Sequence, residues 1–464
     1  MPDDKPILPN DATTRHLLYP FANPNWAAKN PPLVIEGGDG VHVTDSQGKR
    51  YLDGQGGLWN VNVGFNRPEV KAAIVAQLDK LSYYSIFGGT ANLPSIELAA
   101  ELCRLAAHEG MTKVFYSSGG SEATESAFKL ARQYWRLRGQ GGRHKIISLK
   151  RAYHGVTLGA LSAGGAAGYK EMFEPLLPGF TQVETPFVYR NPFTPDPAKL
   201  ATICAELLDR EILHQGPNTV AAFIAEPVQG AGGVIVPPAE FLPLVREVCD
   251  RHKVLFIADE VVTGFGRIGS MFGCRAWGVK PDMMAFAKGI NSGYVPLGAT
   301  MINARIEEAF TGQDDAQFSA GSFFHGNTYA GHPLACAAAC ANLRIVETED
   351  LPANAARVGE YFLRRLRELQ GRHETIGDVR GKGLMLAIEL VEDRRTKTPF
   401  DLSVGFGQQI SDICRREGVL VRNLADTFII SPPLTLRNEH VDEMIRALDV
   451  AFSEAERSRT LRAK

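Results

Sequence analysis

Short apolar segments alternate with helical patterns between Glu69 and Pro333, and this alternation constrains the fold more than any other feature of the sequence. It is typical of a mostly parallel sheet whose two faces are covered by helices. We therefore expect an α/β fold with strands at KVFYSS, KIISLK, TVAAFIAEPV, VLFIADEVV, MMAFAK and GATMIN.

The stretch after Ser121 has the clearest helical period in the chain. Ala127, Leu130, Ala131 and Tyr134 recur at i, i+3, i+4 and i+7. Apolar residues at this spacing form one stripe along a helix. The pattern predicts an amphipathic helix that packs on the sheet.

The chain is long enough for more than one domain. It has 464 residues, of which 44% are hydrophobic, and a single core rarely exceeds about 250–300 residues. After Pro333 the pattern changes to helices interspersed with LMLAIEL, VLVRN and TFIIS, and VHVTDSQGKRYLD near the N-terminus reads as a hairpin. We expect a large domain over 66–333, a smaller α+β domain over 334–464, and a segment, 1–65, that joins the smaller domain.

Charge and cysteine content exclude several classes of protein. The 50 basic and 52 acidic residues give a formal net charge of -2 and leave no basic patch for nucleic acid or a membrane surface. The seven cysteines include no CxxC, so neither a disulfide framework nor a metal site is expected. The N-terminus resembles no leader, and no apolar run reaches the roughly 18–20 residues of a membrane span. A small-molecule partner and a cytoplasmic location are expected.

Lys288 follows the apolar run MMAFA and directly precedes glycine. Lysine is rarely buried without a partner, and a position after a strand places it at the carboxyl edge of the sheet, where open α/β folds bind ligands. A surface lysine with its stem on apolar neighbours would also fit. Work as a nucleophile and base near neutrality requires lowering its pKa by roughly three units from about 10.4.

Asp259 and Glu260 end the apolar strand VLFIADEVV. A carboxylate at the edge of such a strand is costly unless a cation or a protonated ring nitrogen pairs with it. Asp259 could alternatively cap a turn.

Two further elements complete the set of candidate residues. KVFYSSGGSEATESAFKLAR runs from a strand through Gly120 and Ser121 into a helix, whose N-terminus is suited to an anion. Tyr153 and His154 follow the strand KIISLK, where an aromatic side chain could stack on a planar ligand, and Thr328 precedes a helix. A phosphate cradle, a carboxylate, an aromatic lid and a desolvated lysine together are what pyridoxal 5'-phosphate requires.

The sequence resembles the class III aminotransferases of fold type I. The resemblance extends from GLWNVNVGF (57–65) to VRNLADTFIISPPL (421–434), and its motifs are AEPVQGAGG, ADEVVTGFGRIG, AFAKGINSGYVPLGA and NTYAGHP. It implies a large domain with a mostly parallel seven-stranded sheet, a smaller α+β domain and pyridoxal phosphate as cofactor. The active enzyme is then expected to be a homodimer or tetramer with shared active sites.

The resemblance also assigns roles to individual residues. It implies three catalytic residues: Lys288 as the Schiff-base lysine, Asp259 as the partner of the pyridine nitrogen, and Tyr153. The cofactor-binding residues it implies are Lys288, Asp259, Val261, Gly120, Ser121, Tyr153, His154, Glu226 and, from the neighbouring subunit, Thr328.

The acceptor is expected to be pyruvate. Relatives that use 2-oxoglutarate commonly have arginine directly after His-Gly, where this chain has Val156, and Val262 replaces a frequent glutamine. This resembles the amine:pyruvate, or omega-transaminase, branch. In that branch a mobile arginine, here Arg422, pairs with the acceptor's carboxylate, and the amine pocket is lined by Trp59, Phe21 and Phe87.

Other functions remain open at this point. A class III enzyme that uses 2-oxoglutarate, a decarboxylase, an aminomutase or a racemase would share the fold. The residues 264–269, GFGRIG, match GxGxxG after a strand, which is also the pattern of a nicotinamide dehydrogenase. Against the dehydrogenase, no convincing helix follows those glycines.

Overall fold

The computed structural model describes residues 16–462, with side chains described to residue 459. The expectation about an N-terminal leader concerns residues outside this range. The strands are β1 (Ile35–Asp39), β2 (His42–Asp45), β3 (Arg50–Asp53), β4 (Met111–Ser117), β5 (Lys145–Leu149), β6 (Phe180–Val183), β7 (Val220–Ala225), β8 (Leu255–Asp259), β9 (Met283–Phe286), β10 (Gly298–Asn303), β11 (Ile376–Lys382), β12 (Met385–Leu390), β13 (Val419–Leu420), β14 (Arg422–Leu424) and β15 (Thr427–Ile430).

Helices surround the strands on both sides. They are α1 (Pro24–Lys29), α2 (Gly56–Trp59), α3 (Pro68–Lys80), α4 (Leu93–Leu105), α5 (Gly120–Leu137), α6 (Leu158–Ala163), α7 (Pro197–Gln215), α8 (Phe241–His252), α9 (Ala304–Thr311), α10 (Pro333–Thr348), α11 (Leu351–Gln370), α12 (Phe406–Arg416) and α13 (Asn438–Arg462).

The main sheet has seven strands in the order β4-β10-β9-β8-β7-β5-β6. Strands β6, β5, β7, β8 and β9 pair in parallel, and β10 runs antiparallel to both of its neighbours. The predicted mostly parallel α/β sheet is therefore confirmed.

The central strands β7, β8 and β9 are buried along their whole length. Their sequences are nearly all apolar because helices cover both faces. Helix α5 provides part of this cover through the predicted stripe of Ala127, Leu130, Ala131 and Tyr134, all of them buried.

The parallel arrangement brings several chain segments to one edge of the sheet. Strand β4 is antiparallel to β10 and therefore points the same way as β9, β8, β7 and β5. The residues that follow these strands, from Gly120 after β4 to Lys288 after β9, share the carboxyl edge. This is the edge where open α/β sheets bind ligands.

Two smaller four-stranded sheets accompany the main one. The antiparallel sheet β11-β12-β15-β14 comes entirely from the C-terminal part of the chain. The predicted hairpin forms β2 and β3, and β3 pairs in parallel with β13, with Leu52 opposite Val419. This pairing connects the N-terminal segment to the C-terminal part. The boundaries 1–65, 66–333 and 334–464 stay a prediction.

Some elements differ from the sequence-based expectation. The strands β6 and β11 are edge strands with polar residues in them, FTQV and IGDVRGK, so they lack the apolar run of the central strands. Helix α8 begins at Phe241, and α11 begins at Leu351 directly after Asp350, whose side chain caps it.

The structure also bears on the state of the cysteines and on membrane-spanning helices. All seven cysteines lie in the described range and are free thiols. Between residues 16 and 462, no helix combines the length and apolar character that crossing a bilayer would need. The cytoplasmic location stays a prediction.

Candidate active site

A cavity of about 510 Å³ opens at the carboxyl edge of the main sheet. All predicted site residues except Phe87 and Thr328 line it. They are Phe21, Trp59, Gly120, Ser121, Tyr153, His154, Glu226, Asp259, Val261, Lys288 and Arg422.

Lys288 follows the end of β9 with one residue, Ala287, between them, and begins a short 3-10 turn, Lys288–Ile290. Its φ of 47° lies in the left-handed region, which side-chain-bearing residues rarely adopt. The residue borders the cavity, and the surrounding protein desolvates its amine. This burial lowers the pKa of Lys288 to about 8, against the opposing charges of Asp259 and Glu226. The pKa shift has the direction that was expected from the sequence. A larger fraction of this amine is therefore neutral at pH 7 than in an ordinary lysine.

Asp259 ends β8 and contacts the imidazole of His154. Its Oδ2 lies 2.7 Å from Nδ1 of His154, and its Oδ1 accepts a hydrogen bond from the main-chain N–H of Val261 at 3.1 Å. An ionised carboxylate only accepts, so Nδ1 is the donor. The buried Nε2 of His154 has no hydrogen-bond partner within the described chain.

Glu226 follows β7 and connects two loops of the cavity wall. Its Oε1 accepts from the main-chain N–H of Tyr153 at 3.0 Å, and its Oε2 accepts from that of Gly230 at 2.8 Å. Burial raises the pKa of Glu226 to about 7, while the charge of His154 and the two N–H groups act in the opposite direction. The residue therefore fixes the loop that carries Tyr153.

The N-terminus of α5 faces the same cavity. Gly119 occupies the N-cap position without a side-chain cap, and the first N–H groups of a helix have no partner within it. A Cβ at Gly120 would lie 3.0 Å from Cγ1 of Val261, so this approach requires glycine or movement of Val261. The Oγ of Ser121 accepts from the main-chain N–H of Val156 at 3.1 Å.

Three aromatic side chains form one face of the cavity mouth. The ring of Tyr169 meets the rings of Tyr153 and Phe21 edge to face, with centroids 5.8 and 5.6 Å away. Tyr169 was not among the predicted site residues, because GYKEMF has neither a motif nor a period that would single it out. Leu58 and Ala231 also line the cavity without a sequence signal.

Trp59 and Arg422 also line the cavity. Trp59 is only 5% exposed and belongs to an apolar cluster with Met385, so it is both a core residue and a cavity residue. Arg422 begins β14, and burial lowers the pKa of its guanidinium. Among the side chains described, those of residues 16–459, no carboxylate lies within 4 Å of it.

Phe87 and Thr328 lie outside the cavity of the single chain. Phe87 is 48% exposed and packs against Gly326. Thr328 is exposed, and its carbonyl accepts a hydrogen bond from the hydroxyl of Tyr83 at 2.6 Å. The two residues therefore share one surface region, which the loop around Gly326 forms.

The glycine pattern of residues 264–269 does not open a nucleotide-binding helix. Turns follow β8 up to the short 3-10 helix Cys274–Trp277. Gly269 packs on α11, where a Cβ would lie 2.9 Å from that of Ala356. The feature that would support a dehydrogenase is absent from this described stretch.

These residues fit pyridoxal phosphate. The cavity presents an amine with a lowered pKa, a carboxylate held by an imidazole, an aromatic ring and a helix N-terminus whose first residue must stay small. Such a set can bind an aldehyde, a ring nitrogen, a planar ring and a phosphate in turn. The fold and the site thus define a pyridoxal-phosphate enzyme.

Comparison with known proteins identifies the family. The model of the family "Aminotransferase class-III" matches residues 24–452. The solved structure of a pyridoxal-phosphate-bound amine transaminase from an uncultivated Pseudomonas species has a TM-score of 0.92 and 50% sequence identity, covering 95% of this chain and 99% of that one.

Two curated relatives agree with this match. The adenosylmethionine-8-amino-7-oxononanoate aminotransferase of Geobacter sulfurreducens is 41% identical over 97% of this chain and 98% of its own length. The putrescine–pyruvate aminotransferase of Pseudomonas aeruginosa is 38% identical over 93% of this chain and 92% of its own. The chain belongs to the class III aminotransferases and is a pyridoxal-phosphate-dependent aminotransferase.

Proposed function

We propose that this aminotransferase moves an amino group from an omega-amino acid or a primary amine to pyruvate, giving alanine. The two half-reactions alternate in a ping-pong sequence. The observation that carries the choice of acceptor is the presence of one guanidinium, that of Arg422, among the described residues that line the cavity. Pyruvate has one carboxylate, whereas 2-oxoglutarate has two.

Arg422 is suited to a carboxylate that is present in only one half-reaction. It has no carboxylate within 4 Å in the described chain, and the rings of Tyr153 and Tyr169 are close enough to act on its charge. A guanidinium binds a carboxylate through two parallel hydrogen bonds, and its long side chain can withdraw from an apolar amine. The mostly apolar and aromatic surroundings favour donors with an apolar substituent.

The proposed chemistry depends on Lys288 and the groups around it. When bound, pyridoxal phosphate supplies an aldehyde that takes up the amino group and a ring that withdraws electrons from the reacting carbon. Lys288, with its lowered pKa, accepts and returns the proton at that carbon as a general base and acid. Asp259, held by His154, would provide a negative charge for the ring nitrogen of the cofactor, and Tyr153 would stack on its ring.

We also propose a homodimer in which each subunit completes the other's cavity. Thr328 and Phe87 lie together on the surface and outside the cavity of their own chain. The loop that carries Thr328 also has exposed aromatic side chains, including Tyr329 at 62% and Phe324 at 75% exposure. Such apolar surface is typical of an interface. A partner that delivers Thr328 to the phosphate would also deliver Phe87 to the amine pocket.

The acceptor can be tested with purified holoenzyme and a panel of amines. Each donor is incubated with pyruvate or with 2-oxoglutarate, and alanine or glutamate is quantified. We expect alanine in an amount equal to the amine consumed, with little glutamate. Glutamate as the main product would make the protein a 2-oxoglutarate enzyme. Release of carbon dioxide, or isomerisation without a keto acid, would overturn the transamination to pyruvate.

A further inference from the structure

Arg267 is a fully buried residue of the GFGRIG loop that the proposed mechanism leaves without a role. Its relative exposure is 0%, and it is the largest of the side chains that are less than 2% exposed. It follows β8 by eight positions (267 − 259 = 8), so the strand that carries Asp259 also leads to it. A buried arginine that merely filled space would be better replaced by an apolar side chain.

The guanidinium of Arg267 connects three segments that are far apart in the sequence. Its Nη1 donates to the carbonyl of Leu384 at 3.0 Å and to that of Pro432, and its Nη2 donates to Oδ1 of Asn62 at 2.9 Å. The main-chain N–H of Leu384 returns a hydrogen bond to the carbonyl of Arg267 at 3.0 Å. Two of these segments, those of Asn62 and Pro432, follow cavity-lining parts of the chain.

The charge of Arg267 has no carboxylate partner within 4 Å in the described part of the chain. Its Nε is buried without a hydrogen-bond partner there. Burial lowers the pKa of Arg267 to about 9, while the more distant Asp53 acts to raise it. The side chain is thus a cation at neutral pH, and the groups that accept its hydrogen bonds are all neutral oxygens.

Asn62 connects this cation to the turn of Lys288. Besides its bond to Arg267, the Nδ2 of Asn62 donates to the carbonyl of Phe265 at 2.9 Å. A Cβ on Gly289, which directly follows Lys288, would lie 3.1 Å from Cγ of Asn62. The Asn62 side chain therefore lies directly against the lysine turn, and its own segment begins with the cavity residue Trp59.

We propose that Arg267 is a positioning residue for the reaction. Its hydrogen bond to Asn62, with the guanidinium anchored on the carbonyls of Leu384 and Pro432, holds the Trp59 segment against the turn that carries Lys288. Its charge also acts on the amine of that lysine. The inference rests on the proposed role of Lys288 and adds a residue that touches neither substrate nor cofactor.

Four charged side chains act on the amine of Lys288. Asp259 from β8 and Glu226 from the loop after β7 favour the protonated amine, whereas Arg422 from β14 and Arg267 disfavour it. His154, Tyr153 and Tyr169 are the other titratable residues described as lining the cavity. Arg422 is expected to change partners during the reaction, so Arg267 is the fixed cation. Removing it should raise the pKa of the nitrogen of Lys288.

The test compares three variants of the holoenzyme. Arg267→Met removes both the charge and the hydrogen bonds. Arg267→Lys keeps the charge but loses the planar guanidinium and its set of donors. Arg143→Met is the matched control, because Arg143 is only 3% exposed, donates to the carbonyl of Val220 at 3.1 Å and does not line the cavity. For each protein we would record the pH titration of the visible absorbance, KM and kcat for the amine, and the Tm.

Each variant has its own expected result. In Arg267→Met the titration midpoint should move to higher pH by about half a unit or more, because a repelling charge is gone. In Arg267→Lys the midpoint should stay near the wild-type value while KM for the amine rises about threefold or more, because a lysine ammonium does not reproduce the planar guanidinium that holds all three oxygens. Arg143→Met should lower only the Tm.

The proposal is overturned if Arg267→Met has an unchanged titration midpoint and loses about as much Tm as Arg143→Met. Arg267 would then have a structural role only. If Arg267→Met does not fold, Asn62→Ala replaces it, and an unchanged KM in both Asn62→Ala and Arg267→Lys would overturn the proposal equally. The wild type separates this failure from a failure of the proposed function. A wild type without a visible band that borohydride bleaches would refute the role of Lys288 itself.

Discussion

Asp259 and His154 form a buried pair in which Oδ2 of the carboxylate lies 2.7 Å from Nδ1 of the imidazole. The side chains are 3% and 0% exposed. They come from different elements, the end of β8 and the loop after β5, and the pairing therefore depends on the parallel order of the sheet. A buried carboxylate without this contact would be free to rotate or to take up a proton, and either change would weaken its hold on a ring nitrogen.

We expect His154→Leu to bind pyridoxal phosphate about tenfold or more weakly, because a hydrogen bond to a charged group contributes about 1.5–3 kcal/mol. The dissociation constant is measured by titrating apoprotein with the cofactor. His154→Gln keeps a side-chain donor and serves as the control, with a smaller loss expected. Equal affinity in His154→Leu and the wild type would show that Asp259 does not need the imidazole.

The pKa of Lys288 gives a pH dependence for cofactor uptake. Only the neutral amine attacks an aldehyde, and burial lowers the pKa of Lys288 to about 8. The rate of covalent attachment to apoprotein should rise about tenfold per pH unit below that value and level off above it. Stopped-flow absorbance between pH 6 and about 10 measures this rate. A rate still rising at the upper end would mean an ordinary lysine, and Lys288→Ala should give no attachment.

Much of the site could be predicted from the sequence because its residues lie at the ends of strands. Gly120, Tyr153 and Lys288 follow β4, β5 and β9, and Asp259 ends β8. These four strands point the same way, so their carboxyl ends meet at one edge. Once the alternation of strands and helices is recognised, their proximity follows from topology alone.

The remaining site residues depend on contacts that no local pattern encodes. Tyr169 enters the cavity from an irregular segment, and its position is set by packing against Tyr153 and Phe21. Arg267 lies within the GFGRIG glycine pattern, which does not indicate its contacts. Its hydrogen-bond partners belong to three segments that come together through the tertiary fold. The edge strand β6 was missed because it is half-exposed and polar, so it lacks the apolar run of a central strand.

Thr328 provides a test of the shared site, because it lies outside the cavity of its own chain. We expect Thr328→Ala to weaken cofactor binding by about tenfold through loss of a hydrogen bond to the phosphate. Equilibrium dialysis of the purified protein measures the change. Thr202→Ala, at another exposed threonine, is the control and should bind the cofactor as the wild type does. Unchanged binding in Thr328→Ala would separate this residue from the phosphate site.

Arg422 should matter in one half-reaction and not in the other. Arg422→Ala removes the guanidinium proposed to bind the carboxylate of the keto acid, and loss of such a charged contact typically costs about 2 kcal/mol, or roughly thirtyfold in kcat/KM for pyruvate. An arylalkylamine has no carboxylate, so its half-reaction should change by less than about threefold. Single-turnover absorbance measures the two halves separately, and Arg422→Lys, which keeps a point charge, should lose less than Arg422→Ala. Equal losses in both halves would mean that Arg422 shapes the cavity rather than binding the acceptor.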